Sequence, residues 1–273
     1  MQLDSRQLAI GVFDSGMGGL TVLKALRSRF PQESFVYLGD TARLPYGTKS
    51  PETVKQYAMQ MAKILIERRI KALVIACNTA TTAALPHLQN ILPEIPVLGV
   101  VAPGASAAVA ATRNKRIVVL ATETTIASKA YQELIEQQLP QAVITNRACS
   151  VMVALAEEGM VDNAVAREAL KHYLEGFSDQ DAVLLGCTHF PVFKPLIASL
   201  LPSGVVIVDS AQATASSLYT LLEEQNLLND DWSSPIKIKY LVTDSVLRFQ
   251  KVGKIFLGEE LRIEDIELID AMG

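Results

Sequence analysis

Two cysteines occupy matching positions in two similar segments of the chain. Cys77 lies in KALVIACNTATT, from Lys71 to Thr82, and Cys187 lies in DAVLLGCTHF, from Asp181 to Phe190. In each segment a run of Val, Leu and Ile, typical of a strand buried on both faces, leads to a small residue, the cysteine and a Thr-containing polar cluster. Such a strand delivers its thiol to the carboxyl edge of a parallel sheet, where ligands of open α/β folds bind. Two facing edges of this kind would place two thiols around one small ligand.

The residues that follow each cysteine favour reactivity. A thiol is reactive when a helix N-terminus, a histidine or a cation lowers its pKa and when solvent reaches it. Cys77 precedes Asn78-Thr79 at the start of a predicted helix, and Cys187 precedes Thr188-His189. We therefore expect both thiols to be accessible and to have lowered pKa values. A nucleophilic Cys-His enzyme needs only one such thiol, whereas a pair on opposite sides of a cleft suits two-base proton transfer at one carbon.

The remaining cysteine and histidines lack this pattern. Cys149 is predicted to be a small buried hydrophobic residue, and His87 and His172 are predicted to be ordinary surface or core histidines. The chain has three cysteines and no CxxC pair, which argues against a disulfide framework and a structural zinc site.

A glycine-rich loop follows the first predicted strand, Leu8 to Phe13, and precedes an amphipathic helix over Leu20 to Phe30. Its sequence, Asp14-Ser15-Gly16-Met17-Gly18-Gly19, lets backbone N–H groups crowd a helix N-terminus, which suits a carboxylate or a phosphate. The spacing of the glycines matches neither the dinucleotide fingerprint nor the Walker loop. A plain tight turn and a ligand contact therefore stay equally open as interpretations.

A longer loop, from Gly39 to Gly47, follows the second predicted strand, Ser34 to Leu38. Asp40, Arg43 and Tyr46 give it a mixed chemical character, and a hydrogen-bonded surface loop is the simplest interpretation of each residue taken alone. Their position at the carboxyl end of a strand makes them candidates for the same site.

Strands and helices alternate through the rest of the chain, and the opening strand-loop-helix unit recurs from Arg116 onward. This duplication predicts two copies of one α/β unit, and we expect the last elements to return to the first copy. We predict one domain from residues 1–98 and 207–273 and a second from residues 99–206. The expected strands are Ile95 to Val101, Arg116 to Ala121, Ala142 to Asn146 and Val205 to Val208; the expected helices are Pro51 to Arg69 with Ser50 as N-cap, Thr79 to Leu92, Ile126 to Gln138 after a turn at Glu123 to Thr125, Val151 to Glu158, Asn163 to Phe177, Pro191 to Leu200 and Asp209 to Glu224; Lys237 to Val242 and Ile255 to Leu257 form a closing hairpin.

The composition is that of a globular chain, with 273 residues of which 49% are hydrophobic and 20% charged. Its formal charge of −4, without a basic cluster interleaved with aromatic residues, argues against nucleic-acid binding. No apolar window approaches the ~20 residues needed to span a bilayer, and no secretion signal is visible. We therefore expect a cytoplasmic protein without membrane attachment.

Five motifs, in chain order, carry a resemblance to a known family: GVFDSGMGGLTVL, YLGDTARLPYG, ACNTAT, VVAPGA and GCTHFP. Together they span most of the chain and resemble the motifs of the glutamate racemases within the cofactor-independent aspartate/glutamate racemase superfamily. The resemblance implies interconversion of L- and D-glutamate, which supplies D-glutamate for peptidoglycan precursors without pyridoxal phosphate, metal or nucleotide. It also implies two pseudo-symmetric flavodoxin-like domains with the active site in the cleft between them, and a homodimer is compatible with it.

The resemblance assigns roles to individual residues of this chain. It implies catalytic thiols at Cys77, acting on D-glutamate, and at Cys187, acting on L-glutamate. It implies helper groups at Asp14 and His189. The implied substrate contacts are Asp14, Ser15, Tyr46, Gly47, Asn78, Thr79, Thr188 and His189.

Two further acidic positions of the family match Asp40 and Glu157. Where the family often reads ACP followed by a Pro-Leu-Val-Glu run, this chain has Ala-Cys-Ser and Ala-Leu-Ala-Glu. This departure leaves Glu158 as an alternative to Glu157.

Two other functions stay open. An aspartate racemase would share the fold and the thiols, but such enzymes tend to carry an acidic residue after Gly-Cys-Thr, where this chain has His189. A two-lobed amino-acid binding module would use the same cleft with passive cysteines. Initial rates on both amino acids test the first alternative, and solvent deuterium incorporation at the α-carbon tests the second.

Overall fold

The computed structural model describes residues 4–231 and 235–271, and its strands form two parallel sheets. The strands of the first sheet are β1 (Ile10–Asp14), β2 (Phe35–Gly39), β3 (Ala72–Ile75), β4 (Val97–Gly99), β9 (Ile238–Val242) and β10 (Ile266–Leu268), and those of the second are β5 (Arg116–Ala121), β6 (Val143–Ala148), β7 (Ala182–Gly186) and β8 (Val206–Asp209). The paired strands of the described residues run parallel in both sheets. The predicted α/β class with parallel sheets is confirmed.

The two sheets repeat one arrangement. The first has the strand order β10-β9-β2-β1-β3-β4, and the second has the order β6-β5-β7-β8. The segment β2-β1-β3-β4 thus corresponds to β6-β5-β7-β8, and both follow the flavodoxin-like order. Cys77 lies just beyond the end of β3, and Cys187 directly follows β7. The repeated sequence pattern therefore corresponds to equivalent strands.

Helices connect successive strands, and their ends follow local capping chemistry. Ser50 accepts a hydrogen bond from the Thr53 N–H at 3.3 Å and Pro51 occupies the first turn, as predicted. Within the described residues, no helix combines the length and the apolar character needed to cross a membrane. The helices are α1 (Leu20–Arg29), α2 (Pro51–Glu67), α3 (Asn78–Ile91), α4 (Val101–Ala111), α5 (Glu123–Ala127), α6 (Ala130–Gln138), α7 (Val151–Glu157), α8 (Ala164–Leu174), α9 (Lys194–Leu200), α10 (Ser210–Glu224) and α11 (Val246–Leu257).

The central strands form a buried frame. Every residue of β1, β3 and β7 is buried, which explains why their sequences are apolar runs rather than alternating patterns, with Asp14 at the end of β1 as the exception. Burial of apolar surface contributes roughly 25 cal/mol per Å² to the stability of the folded state. These buried strands are therefore a stable support for the loops at their carboxyl ends.

The carboxyl-terminal region differs from the predicted hairpin. Val246–Leu257 forms α11, and β9 pairs in parallel with β2 and with β10. The predicted hairpin of Lys237 to Val242 with Ile255 to Leu257 is therefore wrong. The physical reason is the three- and four-residue spacing of the buried residues Phe249, Val252 and Phe256, which is helical and extends beyond the short apolar run that suggested a strand.

The segment after β4 is also more helical than expected. The predicted strand Ile95 to Val101 is reduced to Val97–Gly99, and α4 begins at Val101. Pro103 lies in the first turn of α4, where a residue without an N–H is tolerated. Gly104 packs beside the ring of Tyr131 from α6. Neither Pro103 nor Gly104 therefore ends the helix.

The predicted turn at Glu123 to Thr125 is instead the start of α5. The predicted helix from Ile126 to Gln138 is divided between α5 and α6 by Lys129, whose φ of 57° is left-handed. A single residue in this conformation interrupts the helical ladder, and the apolar pattern on either side of it does not reveal the interruption.

Sheet membership bears on the division into domains. β8 pairs with β7 and extends the second sheet to Asp209, beyond the predicted boundary at residue 206. β9 pairs with β2, so the last strands join the first sheet. We propose a first domain around the six-stranded sheet and a second around the four-stranded sheet, close to the predicted limits 1–98 with 207–273 and 99–206. Residues 1–3, 232–234 and 272–273 of these ranges lie outside the described residues.

Candidate active site

The two duplicated thiols lie at the carboxyl ends of equivalent strands. Cys77 follows β3 and is the N-cap residue of α3, where its Sγ accepts a hydrogen bond from the Ala80 N–H at 3.4 Å. Cys187 follows β7. The two residues are only 6% and 7% exposed, and the charge of Cys187 acts on the pKa of Cys77. Both thiols therefore belong to one enclosed site at the junction of the sheets.

The environment of Cys77 differs from the sequence-based expectation. Burial, followed by the charge of Asp14, raises the pKa of the Cys77 thiol to about 12, and hydrogen bonds from the Ala80 N–H and the Ser15 hydroxyl offset this only in part. The expected lowering of this pKa and the expected solvent access are wrong. Desolvation in the closed cleft outweighs the helix N-terminus, so the Cys77 thiol keeps its proton at neutral pH in this state.

His189 connects Cys187 to a buried carboxylate. Its Nδ1 lies 3.9 Å from the Cys187 Sγ, and its Nε2 lies 2.7 Å from Oε1 of Glu157. Burial lowers the pKa of His189, but its hydrogen bonds with Cys187 and Glu157 outweigh burial and raise this pKa to about 10. His189 therefore lies between the Cys187 sulfur and a carboxyl oxygen of Glu157, and its raised pKa keeps the ring protonated at neutral pH.

The neighbouring glutamates have different surroundings. Glu157 is 4% exposed and contacts His189, whereas Glu158 is exposed and pairs with Arg248 at 3.0 Å. Oε2 of Glu157 is buried and has no hydrogen-bond partner in the described part of the chain. The contact with His189 favours Glu157 over Glu158 as the acidic position of the site.

The raised pKa of His189 predicts a pH-dependent contribution to stability. A basic group whose pKa is higher in the folded state stabilises that state fully below its unfolded value of 6.5 and loses the contribution as pH rises to about 10. We expect the free energy of unfolding of the wild type to fall more steeply across this interval than that of His189→Gln. Urea denaturation at several pH values measures both slopes, and equal slopes would contradict a paired imidazolium.

Asp14 links the first sheet to the loop that follows Cys187. Its Oδ1 accepts a hydrogen bond from the Thr188 hydroxyl at 3.2 Å, and its Oδ2 accepts one from the Gly16 N–H at 3.0 Å. Burial raises the pKa of Asp14, and the positive charge of His189 opposes this shift. Asp14 is therefore a buried acid held at the meeting point of the two sheets.

The glycine-rich loop allows site residues to approach the backbone closely. A Cβ on Gly18 would lie 2.4 Å from Nδ1 of His189, and a Cβ on Gly19 would lie 2.5 Å from the Cβ of Asp14. Any larger residue at these positions would displace the histidine or the carboxylate. This packing favours a structural reason for the glycines, which the sequence alone left open.

Asn78, directly after Cys77, is 3% exposed. Its Oδ1 accepts a hydrogen bond from the Tyr131 hydroxyl at 2.6 Å, and its Nδ2 is buried without a partner among the described residues. The site thus holds an amide donor that is free to bind an anionic group. Sequence reasoning missed Tyr131, because no local pattern in α6 marks it.

A cluster of threonine hydroxyls joins the two sheets. Oγ1 of Thr79, at the start of α3, lies 2.9 Å from Oγ1 of Thr122 and 3.1 Å from Oγ1 of Thr125, which are 3.0 Å from each other. All three residues are buried. Sequence reasoning did not select Thr122 and Thr125, although Thr122 follows the end of β5 as the glycine-rich loop follows β1.

The loop after β2 is anchored by Asp40. This fully buried carboxylate accepts hydrogen bonds from Arg43 at 2.7 Å, from Thr243 at 2.9 Å and from the Tyr46 hydroxyl. With these donors in place, Asp40 holds the loop rather than contributing a free acid. The loop carries Gly47 to the second sheet. A Cβ added to Gly47 would lie 2.5 Å from the Cβ of Thr122, and the Gly47 carbonyl accepts a hydrogen bond from the Thr124 hydroxyl at 3.0 Å.

The other cysteine and the two other histidines lie in ordinary surroundings. Cys149 is 1% exposed, donates to the Arg147 carbonyl at 3.4 Å, and burial raises its pKa to about 12. His172 is exposed and His87 is half-buried on α3. Across residues 4–231 and 235–271, no group of three or more His, Cys, Asp and Glu side chains is arranged to hold a metal ion.

The structure brings most of the predicted residues into one polar cluster between the sheets, with Asp40 at its edge as a loop anchor. Contacts across the two sheets, from Thr188 to Asp14 and from Thr79 to Thr122, connect its halves. Chemically, the cluster offers two thiols, two acids, an imidazole and several buried donors, which suits proton transfer on a small anion. Its predicted members are Asp14, Ser15, Tyr46, Gly47, Asn78, Thr79, Cys77, Glu157, Cys187, Thr188 and His189.

Similar proteins share this length and fold. A glutamate racemase from Geobacter metallireducens is 47% identical over 255 residues, which cover 93% of this chain and 94% of that protein. The crystal structure of glutamate racemase from Francisella tularensis in complex with D-glutamate matches with a TM-score of 0.90 at 38% identity, over 98% of this chain and 99% of that one. Escherichia coli glutamate racemase in complex with L-glutamate and the activator UDP-MurNAc-ala matches with a TM-score of 0.81 at 30% identity, over 98% of this chain and 100% of that one.

A family model described as Asp/Glu/Hydantoin racemase matches residues 20–218, which is more than half of the chain. The matched segment contains both duplicated strand ends, with Cys77 and Cys187, and the similar proteins extend the agreement over nearly the whole length. The resemblance of the five motifs is thereby confirmed, and this chain belongs to the Asp/Glu/Hydantoin racemase family.

Proposed function

We propose that this chain interconverts L- and D-glutamate by proton transfer at the α-carbon. The observation that carries the proposal is the pair of enclosed thiols, Cys77 and Cys187, at equivalent strand ends of two sheets in contact. Glutamate as the substrate is supported by the relatives, which are glutamate racemases and include one with D-glutamate and one with L-glutamate bound.

In this mechanism one thiolate removes the α-proton while the opposite thiol donates a proton to the other face, and the roles exchange with the enantiomer. On one side, His189 accepts the proton of Cys187 and Glu157 stabilises the imidazolium, as their contacts of 3.9 and 2.7 Å permit. On the other side, Cys77 begins as the proton donor because burial raises its pKa to about 12. Asp14, whose charge acts on Cys77, takes the corresponding helper role.

The remaining groups hold the substrate and stabilise charge. The α-proton of an amino acid is very weakly acidic, so donors must stabilise the carbanion that develops next to the α-carboxylate. The free Nδ2 of Asn78 supplies a donor that holds the carboxylate throughout the reaction. The buried hydroxyls of Ser15, Thr79 and Thr188 can turn from their present partners toward the charge that develops. The Thr79, Thr122 and Thr125 cluster adds hydroxyls for a carboxylate on the side of the second sheet.

The test is exchange of the α-proton with solvent. We expect D-glutamate in deuterium oxide to yield L-glutamate that carries deuterium at the α-carbon. Proton NMR measures the loss of the α-proton signal, and polarimetry measures the change of enantiomer. Retention of the α-proton would indicate a two-lobed binding module instead. Initial rates with aspartate form the second arm, and a higher kcat/KM for aspartate than for glutamate would favour an aspartate racemase.

Substrate should also stabilise the protein, because the site is built from both sheets and is nearly closed. A ligand that binds only the folded state raises its stability by roughly 2.7 kcal/mol at a hundredfold excess over Kd. We expect thermal melts with saturating D- or L-glutamate to show a higher Tm, with D-alanine, which lacks the side-chain carboxylate, as the control. A Tm that does not respond to either glutamate enantiomer would count against a site between the sheets.

We place this activity in the cytoplasm, where it supplies D-glutamate for peptidoglycan precursors. The proposed chemistry uses the thiols, the imidazole and the carboxylates of the chain, and we propose no pyridoxal phosphate, metal or nucleotide as cofactor.

A further inference from the structure

Tyr131 reaches the site from the side of the second sheet. It belongs to α6, and its hydroxyl donates a hydrogen bond to Oδ1 of Asn78 at 2.6 Å. Tyr131 and Asn78 are 2% and 3% exposed, so the bond is shielded from water. It joins α6 to the residue that directly follows Cys77.

Two glycines shape the space that Tyr131 occupies. A Cβ on Gly104 would lie 3.0 Å from the Tyr131 hydroxyl, and a Cβ on Gly186 would lie 2.8 Å from its ring. Gly186 is the last residue of β7 and directly precedes Cys187. The ring is therefore held between α4 and β7, which gives its hydroxyl a defined position beside both strand ends.

The hydroxyl selects one orientation of the Asn78 amide. Burial, with a contribution from the charge of Cys187, raises the pKa of Tyr131, so the phenol keeps its proton. Among the described hydrogen bonds, Oδ1 of Asn78 is the acceptor of that proton. Rotating the amide would bring Nδ2 to the phenol and leave the phenolic proton buried without an acceptor, which carries a desolvation cost.

We propose that Tyr131 is a positioning residue that orients the Asn78 amide so that Nδ2, rather than Oδ1, faces a carboxylate of the substrate. A carboxylate can only accept hydrogen bonds, so the rotated amide would present an oxygen to it and repel it. The identity of the ligand rests on the proposed racemase function. The orientation of the amide does not, because the phenol sets it without a ligand.

Tyr131→Phe tests the proposal with little change in packing, because the ring still fills the space between the two glycines. We expect KM to rise about tenfold for both enantiomers, the factor that corresponds to one hydrogen bond. We expect kcat to change less than threefold, because the contact holds the carboxylate before and during the reaction. Tyr173→Phe removes another tyrosine hydroxyl, one that contacts the Val151 backbone, and should leave both parameters within twofold.

The Asn78→Ala background separates positioning from a general loss of structure. Where no amide remains to be oriented, adding Tyr131→Phe should leave KM within twofold of Asn78→Ala alone. An unchanged KM in the single variant Tyr131→Phe, or a full additional effect in the double variant, would overturn the proposal. Thermal melts of each variant verify that the compared proteins are folded.

NMR of the ligand-free protein tests the orientation independently of catalysis. The Nδ2 resonances of Asn78, assigned by their loss in Asn78→Ala, should shift in Tyr131→Phe and stay in place in Tyr173→Phe. Unchanged resonances in Tyr131→Phe would overturn the proposed orientation whatever the enzyme racemises. Shifted resonances in a chain that does not racemise glutamate would support the orientation while the proposed function fails.

Discussion

Cys77→Ser and Cys187→Ser should each abolish glutamate racemisation, because each removes one of the two groups that exchange a proton with opposite faces of the α-carbon. A serine hydroxyl cannot supply the basic form that a thiol supplies with its ordinary pKa of about 8.5. We expect kcat/KM to fall on the order of 10³-fold or more, as for loss of a positioned acid or base. Polarimetry measures the loss. Cys149→Ala, outside the site, should retain activity within twofold.

Each single variant keeps one thiol, so the two faces can be tested separately. L- and D-glutamate have equal free energies in water, so kcat/KM must be equal in both directions for any variant and cannot tell the thiols apart. A β-leaving-group analogue such as β-chloroalanine, offered as separate enantiomers, loses chloride after one proton abstraction. We expect Cys77→Ser, which retains Cys187, to act on the L enantiomer and Cys187→Ser to act on the D enantiomer. The same preference in both variants would rule out the two-base mechanism.

Glu157→Gln should lower kcat/KM about 10²-fold, at the lower end of the range for general acid-base groups. Glutamine keeps the shape of the side chain and can still hydrogen bond to Nε2 of His189, but it carries no charge to stabilise the imidazolium. Since the contact with Glu157 contributes to the raised pKa of His189, this pKa should fall in the variant. His189 would then hold the proton from Cys187 less well, and proton transfer through Cys187 would slow.

Glu158→Gln is the matched control for this variant. It makes the same substitution one residue away, at an exposed side chain that pairs with Arg248, and it should leave kcat/KM within twofold. Exposed ion pairs contribute little to stability, so the control should also fold normally. A larger effect at Glu158 than at Glu157 would contradict the role of the buried carboxylate. In His189→Gln, adding Glu157→Gln should have little further effect, because the two residues act as one unit.

The sequence could predict features that depend on neighbours along the chain. The apolar runs of β3 and β7 and the polar clusters after them identified Cys77 and Cys187, because strand burial and strand ends leave a local pattern. Ser50 and Pro51 marked the start of α2 by capping chemistry that lies within one turn. The hairpin predicted for the carboxyl-terminal region failed because a three-residue apolar run cannot distinguish helix from strand without its wider context.

The tertiary structure alone decided which groups surround the thiols and how they titrate. Glu157 and Glu158 are adjacent residues of the same type, and the sequence does not say which of them enters the site. Only the packing of α7 brings Oε1 of Glu157 to 2.7 Å from Nε2 of His189. Tyr131 meets Asn78 because the fold brings α6 beside the first residue of α3. The pKa of Cys77 is raised rather than lowered because the cleft excludes water. Desolvation and contacts between distant segments are properties of the assembled fold, and no short stretch of sequence encodes them.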